Sequence, residues 1–179
     1  MDDGLTGTRG HPANIRLWTL DLPRKVITGL WHLEGETVSI LGDGNVFPQQ
    51  VVVNGTVTLS VGVTRCHVGL PFTARARTLP LVVPNANVEG RRKKINGIAL
   101  RLQNTRGLTN GRDLNSLYPM KERTTEQPGL PTRMINGIKH QLISSNWNED
   151  GQTYFVQTDP LPVTILSTIV EVEIGDDPD

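Results

Sequence analysis

The chain has 179 residues, with 18 Lys+Arg against 18 Asp+Glu. That is enough for one good core or two small ones, and it excludes a global charge bias toward nucleic acid or an anionic membrane. Eighteen Gly and twelve Pro suit a β-rich chain with many turns better than a helical one. The lone Cys66 excludes an internal disulfide and fits a reducing compartment.

In chain order, residues 1–25 carry little periodicity and are punctuated by His11-Pro12 and Leu22-Pro23. They read as an N-terminal arm or a severed connection to an upstream domain, although the alternation of Ile15, Leu17 and Thr19 allows a lone strand over Asn14 to Leu20. Met1-Asp2-Asp3-Gly4 lacks the basic and apolar regions of a signal peptide. No apolar run reaches the roughly 18 residues expected of a membrane span.

Residues 26–82 predict a small antiparallel β-barrel module of five or six strands. Glu36-Thr37-Val38-Ser39-Ile40-Leu41 alternates with the period of a half-buried strand. Asp43-Gly44 then supplies a hairpin turn, because Gly takes positive φ at little steric cost. Val51-Val52-Val53 follows, Asn54-Gly55 makes a second turn before Thr56 to Leu59, and a third apolar run ends at Cys66-His67-Val68-Gly69-Leu70. Two such turns in close succession signal a small barrel or sandwich.

Residues 83–94 read as a basic linker, with one short helical turn allowed over Val88 to Lys94. Residues 95–175 predict an antiparallel β-sheet or sandwich module, with strands near 95–104, 134–143, 152–158 and 163–174. Ile98, Leu100 and Leu102 alternate with polar or small neighbours, as in a strand with one wet face. Gly107 to Arg123 reads as a long excursion, a kind of loop that is often functional. Glu171 and Glu173 put charge on one face of the last strand, and 176–179 is a frayed acidic tail. The expected fold class is therefore mostly β.

Several strings carry a resemblance. In order they are Gly29-Leu30, His32-Leu33-Glu34-Gly35, Val38, Asp43-Gly44, Val57-Thr58-Leu59 and His67-Val68-Gly69-Leu70-Pro71. Arg101 to Leu108, Trp147 to Gln152 and Pro160 to Leu166 continue the series. This collinear set resembles bacteriophage and prophage tail proteins described as packaged-DNA stabilisation or tail nozzle proteins, over roughly residues 26 to 172. The resemblance implies a non-enzymatic virion structural protein, part of a ring that extends the portal channel and helps retain packaged DNA. It implies other copies of the chain as partners, a hexamer in that family, together with neighbouring tail proteins and non-specific proximity to DNA. The implied location is the virion tail, and the host cytoplasm during assembly. Members of that family look longer, which would make this chain a C-terminal piece. The barrel pattern is also similar in shape to the half-domain of ubiquitin-activating enzymes named for their catalytic cysteine. An activating enzyme needs a Gly-rich nucleotide loop and an acidic metal cluster, and the sequence carries neither pattern.

Candidate chemistry is sparse. Cys66-His67 is the one pairing that invites a nucleophile, but adjacent strand residues point to opposite faces. Cys66 is expected in the core and His67 toward solvent or a neighbouring strand. His11, His32, His67 and His140 have no ligand spacing. Asp43 is better explained by its turn than by calcium, which needs several alternating oxygens. No catalytic residue, cofactor site or metal ligand is assigned.

Arg91-Arg92-Lys93-Lys94 is the densest charge run. It reads as a solvated linker or as a contact with a neighbouring subunit's acidic rim or with DNA. No aromatics interleave it, so any attraction to DNA is weak, salt-sensitive and non-specific. Trp18, Trp31 and Trp147 are expected in a core or an interface, with Trp147 partly exposed between Asn146 and Asn148. Arg91, Arg92, Lys93, Lys94 and Tyr118 are the candidate subunit contacts, and Trp147 is the candidate exposed aromatic. Two other readings stand beside the ring: a tail adaptor or receptor- or glycan-binding domain centred on Trp147 and Tyr118, and a hydrolase with an unrecognised site.

Overall fold

The computed structural model describes residues 16–82, 88, 90–123, 125–144 and 146–175, with side chains described from residue 22 onward. The expectations for 1–15 and for the acidic tail 176–179 lie outside these residues, as do most of 83–89. The chain divides into two compact units, Met1–Phe72 with Glu126–Pro131, and Thr73–Thr125 with Thr132–Asp179. The fold is mostly β. The one helical element among the described residues is the 3-10 turn Trp31–Leu33.

The first unit is one antiparallel sheet of β1 (Arg16–Ile27), β2 (Thr37–Gly42), β3 (Asn45–Val51) and β4 (Val57–Gly69), in the order β1-β4-β2-β3. Four strands form it, rather than the five or six expected. Among the described residues no ladder joins β3 back to β1, so the sheet does not close into a barrel. Residues 16–27 are a strand, running past the one allowed over Asn14 to Leu20 and replacing the end of the arm, paired with β4 from Arg16↔Val68 to Ile27↔Val57. Pro23 has no N–H to give the ladder, and the register shifts on either side of Arg24. The core gathers Ile27, Leu30, Leu33, Val38, Ile40, Val52, Val57, Leu59, Val63, Cys66 and Val68, with Phe47 packed against it. Cys66 is fully buried and His67 is exposed, which is the alternation a strand imposes.

Two carboxylates fasten this unit. Asp43 takes φ 45° and Gly44 φ 80°, a pair of left-handed residues suited to a tight hairpin. The Asp43 carboxylate accepts from Thr64 N at 2.8 Å, from the Thr64 hydroxyl at 2.8 Å and from Arg65 N at 2.8 Å. Glu34 accepts from Asn54 N at 2.8 Å and from Gly55 N at 2.6 Å, one through each oxygen. Trp31 lies on the same turn: a Cβ added to Gly55 would sit 2.5 Å from the indole.

The second unit holds β5 (Ala74–Arg77), β6 (Lys93–Thr105), β7 (Thr109–Gly111), β8 (Leu117–Pro119), β9 (Ile135–Leu142), β10 (Tyr154–Gln157) and β11 (Ile165–Ile174). They form two sheets, β5-β10-β7-β8 and β11-β6-β9. Ile95, Ile98, Leu100, Leu102, Leu108, Met120, Ile135, Ile143 and Phe155 make its core. Three sequence expectations are corrected. β5 pairs with β10, so the first module ends at 72 rather than 82. Lys93 and Lys94 begin β6 and are not linker. Arg91 N donates to Val88 O at 3.4 Å. The 107–123 excursion is a hairpin of β7 and β8, with Met120 N donating to Leu108 O at 3.0 Å. Polar side chains fasten the second unit as well. Gln157 Nε2 faces the carbonyls of Arg106, Asp159 and Leu161 at 3.1–3.2 Å, and the Thr105 hydroxyl accepts from Thr164 N at 2.9 Å.

Burial raises the Asp43 pKa, but the Thr64 and Arg65 hydrogen bonds and the Arg65 charge outweigh it and hold the carboxyl below its ordinary value. A group with a depressed folded pKa stabilises fully above its unfolded pKa, and the contribution is lost as pH falls through the folded value. Asp43→Asn keeps a residue that tolerates left-handed φ but turns an amide N–H₂ toward a backbone donor. It should cost about 1–2 kcal/mol at neutral pH. Urea titrations at a series of pH values should show that deficit shrinking once pH falls below about 4, the unfolded carboxyl range. Separately, Gly55→Ala should destabilise the protein through the left-handed φ of 63° and the collision with Trp31. Adding Trp31→Ala should remove the collision and leave the backbone strain of about 1–2 kcal/mol.

Candidate interaction surface

The charge run and the candidate tryptophan, far apart in sequence, meet in space. Lys93 and Asn148 form an isolated antiparallel bridge, with Lys93 N donating to Asn148 O at 2.6 Å and Asn148 N to Lys93 O at 2.9 Å. The bridge sets residues 147–149 beside the start of β6. Asn148 Oδ1 accepts from Gly151 N at 2.6 Å, so the segment holds its own turn.

This geometry gives the four basic residues different roles. Lys93 is 3% exposed, and its ammonium donates to Glu149 O at 2.6 Å and to Arg91 O at 3.3 Å. Two carbonyl acceptors satisfy the buried cation, which makes Lys93 an internal anchor instead of a surface charge. Its stem lies against Gly151, where an added Cβ would come within 3.0 Å of the Lys93 side chain. Arg91 is half-buried and Arg92 exposed. Lys94 Nζ lies 3.5 Å from Glu173 Oε2 and 5.8 Å from the centroid of the Trp147 ring, within cation–π range. Arg92 O accepts from Gly175 N at 2.8 Å, which brings the end of β11 to the same corner.

The corner therefore presents the exposed Arg92, the Lys94 ammonium over the indole, the Glu173 carboxylate and a Trp147 that is 43% exposed. A cation, a carboxylate and an indole are groups able to make charged and stacking contacts. Tyr118, equally exposed, stands on β8, and its carbonyl accepts from Gln141 Nε2 at 3.4 Å. No hydrogen bond or ring contact described here joins Tyr118 to the Trp147 corner. In the same excursion Arg112 lies beside Asp113 at 2.8 Å and holds its carboxyl below the ordinary value, aided by the Asn115 N–H. That ion pair ties the hairpin end to itself.

The remaining candidates stay apart. His32 and His67 are exposed on the first unit, and His140 Nδ1 lies 4.0 Å from Glu171 Oε1 on the second. Among the described residues no three His, Cys, Asp or Glu gather as a metal site. Burial, followed by the Asp43 charge, pushes the Cys66 thiol up to about 11, which leaves a poor nucleophile at neutral pH. No helix of the described chain is long and apolar enough to cross a membrane. Nothing in the local pattern signals the Lys93–Asn148 bridge, because pairing across such a separation leaves no short-range trace. No family model matches this chain, and no curated protein matches it.

The distinct roles of neighbouring lysines can be measured. Lys93→Ala leaves two interior carbonyls without their donor and removes a packed stem, so it should cost about 2–4 kcal/mol in urea unfolding. Lys94→Ala, which loses an exposed ion pair and a surface cation–π contact, should cost no more than about 1 kcal/mol.

Proposed function

We propose that this chain is a structural component of a bacteriophage or prophage tail, part of a nozzle ring that extends the portal channel and helps retain packaged DNA. The collinear resemblance running from Gly29 to Leu166 carries this reading. Its separate strings are also coupled by the fold. Gln103 N donates to Thr164 O at 3.1 Å and Arg106 N to Pro162 O at 3.0 Å.

The work of the protein is then assembly. Neighbouring copies and other tail proteins bind its exposed corners and strand margins, and a ring makes each contact head-to-tail. Arg92, with Lys94 beside it, offers DNA in the channel a weak and salt-sensitive attraction. The protein resides in the virion tail, having assembled in the host cytoplasm. A tail adaptor or glycan-binding role is the second reading, favoured by the partly exposed Trp147 and Tyr118.

Immunogold electron microscopy of induced particles, with an antibody against this chain, tests the proposal. Gold at the tail vertex near the portal is the expected result. Label at the distal tip would favour the adaptor instead. Particles that stay unlabelled when broken open, while the protein is abundant in the lysate, would overturn both.

A further inference from the structure

A buried polar side chain without a protein partner is uncommon in a folded chain, and each instance needs a cause. In the second unit two such side chains stand together. Asn110, on β7, is fully buried, and neither its amide oxygen nor its amide nitrogen has a hydrogen-bond partner among the described residues. Thr153, just before β10, is also fully buried, and its hydroxyl is equally without a partner among them. Left dry, such groups carry their full desolvation penalty into the fold.

The ladders put both side chains on one face. Asn110 pairs with Phe155, and Thr153 lies two residues before Phe155, so strand alternation turns all three to the same side. That side is the interior, because Phe155 belongs to the core of the second unit. Asn110 and Thr153 are therefore diagonal neighbours across β7 and β10. Their backbones are held in place. Thr78 N donates to Thr153 O at 3.0 Å, Thr153 N donates to the Thr78 hydroxyl at 3.0 Å, and Asn110 pairs with Tyr118 on its other flank. Diagonal positions of an antiparallel pair lie about 7–8 Å apart. The amide and the hydroxyl do not bond each other across that diagonal, and the spacing suits one small bridge with hydrogen bonds of about 2.8 Å at each end.

The chemistry of the two groups limits what the bridge can be. Both are uncharged, so an ion between them would lie in the interior without a counter-charge. The amide offers donors and an acceptor, and the hydroxyl offers both, so the bridge must donate as well as accept. We propose that this is an internal water site, in which one ordered water lies between the Asn110 amide and the Thr153 hydroxyl and joins β7 to β10. Buried waters typically make two to four hydrogen bonds to polar groups that otherwise lack partners, and the two side chains supply that set. β7 is only three residues long, so a bridge from its middle residue strengthens its hold on β10. The site is independent of the tail reading and stands or falls separately from it.

A crystal structure of the full chain that shows ordered solvent tests the site directly. The expected result is a water oxygen within hydrogen-bond distance of both side chains. Thr153→Val keeps the shape and removes the hydroxyl, so in crystals of that variant the water should be lost or displaced. Urea unfolding supplies a second measurement. Thr153→Val alone should lower the midpoint, because it leaves the Asn110 amide without its bridge. Adding Asn110→Leu should recover part of that loss, because no polar group then remains to be satisfied. A dry site, a direct Asn110–Thr153 hydrogen bond, or a water unmoved in Thr153→Val would each overturn the inference. So would substitutions whose costs simply add, since two groups sharing one water must be coupled.

Discussion

A fold made of short strands leaves backbone N–H and C=O groups unpaired wherever the chain turns, and each buried one must find a partner. In this protein polar side chains supply many of those partners. Glu34 holds the Asn54-Gly55 turn, and Asp43 holds Thr64 and Arg65 of β4. Thr105 and Gln157 do the same between the 105–107 turn and the segment that leads into β11. The hydrophobic clusters lie inside a frame that these contacts keep in register. Strand register matters here because a slip of one residue would move every apolar side chain to the wrong face.

Charge placement follows the same economy. Of the four consecutive basic residues, Lys93 is turned inward against carbonyls, Lys94 is shared between Glu173 and Trp147, and Arg92 remains for solvent or a partner. A run that looks like one solvated patch in the sequence is three environments in space, because β6 begins within it and alternates its faces.

Much of the first unit was legible in the sequence for local reasons. The strand over 36–41 and the turns Asp43-Gly44 and Asn54-Gly55 are signalled within a few residues and sit where the pattern puts them, although Ser39, on the face expected to be wet, is buried beside Val38 and Ile40. The opposite fates of Cys66 and His67 follow from the two-residue period alone. β1 was obscured by Pro23 and by the register shifts around it. β5, Ala-Arg-Ala-Arg, has no apolar alternation to announce a strand, and it exists because β10 lies beside it. Barrel closure is likewise a property of partners that no single segment encodes, and the sheet of the first unit stays open. The bridge between Lys93 and Asn148, which brings together the two features singled out for contact, was equally invisible from either side.

Residues 126–131 belong to the first unit, although the chain on both sides of them belongs to the second. Gly129 O accepts from Asn45 Nδ2 at 3.2 Å within that unit. The backbone therefore passes from one unit to the other after 72, after 125 and after 131. A protease that cut only the connection after Phe72 would not produce two independent fragments. The released N-terminal piece would leave behind a strip of its own unit, still covalently joined to the second, and the nicked protein should persist as a complementation pair.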